Sequence, residues 1–122
     1  MSAVKRATRV AERLRQELST VLRAMRDPRI EGALISRVEL TDDLQSARVL
    51  VRCGPTVGEE EQARKMALLK ALTAASGRLR RDVGHALDLR YAPTLRFYYD
   101  DGVDASQRIE ELLREVERDR EP

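Results

Sequence analysis

The chain has 122 residues, a length that suits one domain around a single hydrophobic core. Hydrophobic residues make up 42% and charged residues 36%, a globular balance; no apolar run approaches the roughly 20 residues of a membrane span, and the first 15 residues lack the apolar centre of a signal peptide. Cys53 is the one cysteine, which excludes an internal disulfide and a multi-cysteine metal site and favours the cytoplasm. The net charge of +2 conceals an alternation: residues 1–29 and 64–96 carry +5 and +6, whereas residues 30–63 and 97–122 carry −4 and −5. A fold that brings the two basic segments together has a positive face suited to a polyanion.

From Ser2 to about Met25, the apolar residues Ala7, Val10, Leu14, Leu18, Val21 and Met25 recur at intervals of three and four, which predicts an amphipathic helix capped by Ser2. Lys5, Arg6, Arg9, Arg13 and Arg23 fall on the other side, either as a solvated face or as a binding surface. Asp27-Pro28-Arg29 stops the helix, because proline cannot continue the hydrogen-bond ladder. Gly32 releases the chain into a strand at 34–40 whose alternation sends Val38 and Leu40 inward. Asp42-Asp43 makes a turn. A second strand follows with Ala47, Val49, Val51 and Cys53 on one side and Arg48, Leu50 and Arg52 on the other, so the two form a hairpin, and Cys53 reads as a small core residue.

Gly54-Pro55-Thr56-Val57-Gly58 is a loop by composition, and Glu59-Glu60-Glu61 is an acidic first helical turn rather than a metal site. The next helix runs through Ala63, Met66, Ala67, Leu69, Ala71, Leu72 and Ala75. At Ala75-Ser76-Gly77 a glycine interrupts the pattern; it costs about 1 kcal/mol relative to alanine, so a bend, a close backbone approach or simple drift must account for it. A second helical segment then buries Leu79, Val83, Ala86 and Leu87 and carries Arg78, Arg81 and His85 on a separate stripe. A fresh helix N-terminus at this joint, beside Arg78, Arg80 and Arg81, would suit phosphate. His85 has no partner at ligand spacing and reads as a surface residue.

Every aromatic residue lies between Tyr91 and Tyr99. The strand after Pro93 sends Leu95, Phe97 and Tyr99 to the core and Arg96 and Tyr98 the other way. The opposite sheet face would then show Arg37, Arg48, Arg52 and Arg96 with Tyr98, a second nucleic-acid surface ranked below the helical joint. Asp100-Asp101-Gly102 ends the strand. Asp104 or Ser106 caps a last helix with Ile109, Leu112, Leu113 and Val116 in its stripe, and the charged tail 117–122 is expected to fray. The expectation is an α+β fold: one domain over residues 1–116, a three-stranded sheet with helices packed on one face, in the order helix, strand, strand, helix, kinked helix, strand, helix.

Several landmarks carry a family resemblance: Asp27-Pro28-Arg29, the hairpin with Val38-Glu39-Leu40 and Asp43 to Val49, the joint Ala75-Ser76-Gly77, Leu89-Arg90, and Pro93 to Asp100. In their order and spacing, from about Arg6 to about Leu113, the chain resembles the ribosome-binding factor A family. The resemblance implies a type II KH-like fold in which an Ala-x-Gly kink replaces the nucleotide-clamping Gly-x-x-Gly loop. It also implies a non-catalytic factor without cofactor or metal, binding the small (30S) ribosomal subunit and its 16S rRNA during late maturation and rRNA processing. Such a factor is a cytoplasmic monomer. Arg78 and Thr94 depart from the family pattern, the first where an apolar or aromatic residue is common and the second where an acidic one is.

On this reading Lys5, Arg6, Arg9 and Arg13 of the first helix and Arg78, Arg80 and Arg81 after the joint hold RNA phosphates, with Arg90 as a weaker candidate. Ala75, Ser76 and Gly77 match the kink. The alternatives are a protein-interaction module that recruits an assembly GTPase or another factor through the acidic face or the last helix, and a general RNA-binding protein. An enzyme is not expected, since no histidine-cysteine or histidine-serine constellation, phosphate loop or metal signature is present.

Overall fold

Helix α1 (Ala3–Ala24) begins where the sequence places its cap: Ser2 is extended, and its side chain accepts a hydrogen bond from the Lys5 N–H. Ala7, Ala11, Leu14, Leu18 and Leu22 form its buried stripe. The helix closes before Asp27-Pro28-Arg29, where the Asp27 carboxylate accepts from the Arg29 N–H and the Asp27 carbonyl accepts from the Ile30 N–H, making a turn. Gly32 follows at φ +81°, a left-handed angle that glycine adopts without a steric penalty. The computed structural model describes residues 2–54, 58–101 and 105–120.

Strands β1 (Leu34–Leu40) and β2 (Ser46–Arg52) pair antiparallel, with a register shift between Ile35 and Arg37. The irregularity is held at Ser36, whose hydroxyl lies 2.8 Å from the Asp100 carboxylate and 3.2 Å from the Leu50 carbonyl. Strand β3 (Thr94–Tyr99) pairs parallel to β2, so the sheet is mixed, in the order β1-β2-β3. Ile35, Val38, Ala47, Val49, Val51, Leu95 and Phe97 meet α1 and helix α2 (Gly58–Ala86) in one core. Cys53 and Tyr99 pack at its edge, where the Tyr99 hydroxyl accepts from the Cys53 N–H and sits 3.5 Å from its thiol; the thiol bond raises the phenol's pKa.

Two expectations need correction. The helices do not all lie on one face. Six consecutive residues of β2, Ser46 to Val51, are buried, although alternate side chains point to opposite faces. The second face is covered by helix α3 (Ala105–Arg120): Arg48 meets Glu111 at 2.9 Å, Arg96 pairs with Glu115 and Asp119, and Leu112 is buried. Nor is there a pair of helices joined at Ala75-Ser76-Gly77. Helix α2 runs without interruption for 29 residues through all three, so no second helix N-terminus exists there. A Cβ on Gly77 would meet nothing within 4 Å, so no close backbone approach requires the glycine.

Smaller departures concern individual residues. Leu68 is buried, whereas Met66 and Ala86 are exposed. Residues 117–120 form the last turn of α3. The loop at 55–57 and the Asp104 cap lie outside the described residues, and Ser106 lies inside α3.

Candidate nucleic-acid interface

Helix α2 ends in a tight reversal. The Leu89 N–H bonds the Gly84 carbonyl and the Asp88 N–H the His85 carbonyl, with Asp88 at φ +53°, the paired bonds of a Schellman cap. Arg80 donates its Nε–H to the Ala92 carbonyl at 2.9 Å, drawing the returning segment against the helix. From there the Thr94 N–H bonds the Gln45 carbonyl, tying the start of β3 to the β1–β2 turn. That turn carries Leu44 at φ +62°. Asp43 supports it by accepting from the Thr41 hydroxyl and the Gln45 N–H, which, with Arg120 nearby, hold its carboxyl below the usual range.

These segments enclose an open groove of about 630 Å³. Arg6 and Val10 of α1, Arg80 of α2, Arg90 and Tyr91 of the reversal, and Leu44 and Gln45 of the turn line it. Arg6, Arg80 and Arg90 thus converge from both basic segments of the chain. The Arg90 guanidinium carbon lies 5.4 Å from the centre of the Tyr91 ring. Asp43 is the acidic group of the lining.

The other expected site residues stand apart from this groove, and Lys5, Arg9, Arg13, Gly77, Arg78 and Arg81 among them are exposed. At about 100° per residue, Arg6, Arg9 and Arg13 share one ridge of α1 within about 60°, with Lys5 about 100° from Arg6. Arg78 and Arg80 lie about 160° apart around α2 by the same geometry. Arg78 sits 3.7 Å from Asp82. Arg81 and His85 are exposed on the Arg78 side. Ala75 and Ser76 are half-buried, and the Ser76 hydroxyl is turned back onto the Thr73 carbonyl, so the joint presents helix backbone already bonded within α2.

Tyr91, Leu44 and the Asp88 cap were not singled out by the sequence. The available signal was an aromatic residue outside the strand alternation, preceded by arginine and followed closely by Pro93. The proposed sheet surface is covered in part by α3, since Arg48, over the Tyr98 ring at 4.2 Å, is buried beneath it, while Arg37 and Arg52 stay exposed. Among the described residues no group of three or more His, Cys, Asp or Glu side chains could hold a metal ion, and no helix is long and apolar enough to cross a membrane.

Comparison with known proteins agrees along most of the chain. A profile of the family described as ribosome-binding factor A matches residues 6–113. A Sorangium cellulosum protein named ribosome-binding factor A is 66% identical over 113 residues, 93% of this chain and 90% of that protein. One from Syntrophobacter fumaroxidans is 41% identical over 115 residues, 93% of this chain and 96% of that protein. Among solved structures, the crystal structure of ribosome-binding factor A from Thermus thermophilus superimposes with a TM-score of 0.67 at 23% identity, covering 80% of this chain and 99% of that one. A Thermus thermophilus homology model of that factor, as fitted into a cryo-EM map of its 30S complex, gives 0.59 at 22% identity, covering 76% and 94%. The chain belongs to the ribosome-binding factor A family.

Proposed function

We propose that the protein is a non-catalytic maturation factor of the small (30S) ribosomal subunit, binding its 16S rRNA as a cytoplasmic monomer during late assembly and rRNA processing. The observation that carries the reading is the convergence of Arg6, Arg80 and Arg90 on one open groove, with Arg9 and Arg13 continuing the basic ridge of α1. Guanidinium groups at fixed separations orient a protein on a phosphate backbone without reading bases, and the folded shape of the RNA supplies specificity. Family membership supports a ribosomal partner. The fitting of a Thermus thermophilus homologue into a 30S complex supports the small subunit. A single domain of type II KH-like order belongs to the same proposal, with α2 occupying the place of that fold's helix pair.

Phosphate contact shifts from the Ala75-Ser76-Gly77 joint toward the groove, because the joint has no free helix N-terminus. Binding of precursor small subunits by the intact protein tests the reading. Arg6→Glu together with Arg9→Glu, both at exposed positions, should weaken binding at least about tenfold, and wild-type affinity should fall steeply with salt. Binding indifferent to both salt and these reversals would overturn the proposal.

A further inference from the structure

Tyr91 is the most exposed large hydrophobic residue described, at 76%, although it sits at the mouth of the groove between Arg90 and Pro93. Its ring has Arg90 beside it, which leaves aromatic surface open to solvent. Arg6 and Arg80 line the same groove, and Arg80 commits its Nε–H to Ala92, leaving four of the five guanidinium N–H donors for an anion. Among the described residues, two non-glycine residues have left-handed backbone: Leu44, which lines the groove, and Asp88, the helix cap that precedes the lining Leu89. At Leu44, which no helix cap accounts for, such an angle costs on the order of 1 kcal/mol or more, and strained backbone of this kind gathers at binding sites. A volume near 630 Å³ is in the range of sites for small organic ligands.

We infer that the groove between Arg6, Arg80 and Tyr91 is a pocket for one unpaired RNA nucleotide, with its base stacked on the open part of the Tyr91 ring and its flanking phosphates on Arg6 and Arg80. The inference rests on the RNA-binding reading above and adds single-strand preference to it. Every base has a face that can stack on an aromatic ring, so the pocket selects an unpaired base over a paired one without selecting its sequence. Asp43 stays ionised, and its charge is offset by Arg120, whose guanidinium lies 3.3 Å from its carboxylate.

The test compares wild type, Tyr91→Ala and Tyr91→Phe for binding to precursor small subunits, to a short single-stranded RNA carrying 2-aminopurine, and to the same strand with an abasic position. Because Tyr91 is exposed, all three proteins should unfold at closely similar temperatures. Wild type and Tyr91→Phe should quench the 2-aminopurine and bind the subunit alike, while Tyr91→Ala should lose the quench and bind about tenfold more weakly. The abasic strand should bind wild type about as weakly as the intact strand binds Tyr91→Ala. Equal binding by wild type and Tyr91→Ala, or no binding of the single strand by wild type, overturns the pocket. If Arg6→Glu with Arg9→Glu still weakens subunit binding in that case, the ribosomal reading stands alone; if neither set of changes has an effect, both fall.

Discussion

Two glycines of α2 are helical and lie seven residues apart, yet their surroundings give them opposite roles. A Cβ at Gly77 would meet nothing within 4 Å, so the residue costs helix stability without returning a contact. Gly77→Ala should therefore raise stability by about 0.5–1 kcal/mol, measurable by thermal or denaturant unfolding. A Cβ at Gly84 would stand 3.0 Å from the Ala92 Cβ, where the returning segment is already drawn in by Arg80. Gly84→Ala should lower stability by on the order of 1 kcal/mol, since overpacking outweighs the gain in helix propensity. Equal signs for the two substitutions would contradict this account of the helix. From sequence both glycines look alike, because the pattern reports which face a residue occupies and not what approaches it from a distant part of the chain. A titratable residue shapes the same region. The Thr41 hydroxyl, then the Gln45 N–H, lower the pKa of Asp43, so the ionised form is favoured in the folded turn. A depressed carboxyl pKa contributes stability above the unfolded value of about 3.9, and that contribution disappears as pH falls through the folded value. Wild type should thus exceed Asp43→Ala in melting temperature near neutrality and converge with it at the acid end; a gap that widened below about pH 4 would refute the linkage.

At the scale of elements, the amphipathic stripe of α1 and the hairpin alternation were legible because each element's period marks its own buried face. Three features were not. The parallel pairing of β3 with β2, the continuity of α2 and the seat of α3 all depend on segments meeting across long stretches of chain. Arg48, Arg96 and Tyr98 read as a free basic surface on their own strands, and only the arrival of Glu111, Glu115 and Asp119 turns them into an interface. That interface joins the buried Leu112 to charged pairs: Arg48 is 7% exposed at its side chain whereas Glu111 is 46% exposed, and Glu115 Oε2 and Arg96 Nε are buried without hydrogen-bond partners. Burial of charges with incomplete partners offsets much of their attraction, so α3 should be the least stably held helix. Glu111→Ala should cost about 1–2 kcal/mol, discounted for the exposure of the carboxylate, and should raise amide exchange in α3 before α1 or α2. Uniform loss of protection across all three helices would show that α3 belongs to the same cooperative unit as the core.

Over the whole molecule, the charge alternation read along the chain becomes a division between faces. The basic segments 1–29 and 64–96 contribute α1 and most of α2, which pack on one side of the sheet, while α3 on the other carries five acidic and four basic residues, close to neutral. A small net charge therefore coexists with a directed field: an RNA approaching the helical side meets Arg6, Arg9 and Arg13, whereas α3 mixes exposed carboxylates such as Glu117 with exposed arginines such as Arg118. Such an uneven distribution steers a polyanion to the basic face. Salt titration can separate these contributions. Each phosphate neutralised steepens the fall of log affinity with log salt by about 0.7 to 0.9. Arg6→Ala should remove about one such increment from the slope measured with precursor small subunits, and Arg6→Ala with Arg9→Ala up to about two. Glu117→Gln should leave the slope unchanged, because removing a repulsive charge on the reverse side releases no counterions from the RNA. A slope that responds to Glu117 as strongly as to Arg6 would mean that RNA contacts both faces, and the directed approach would have to be abandoned.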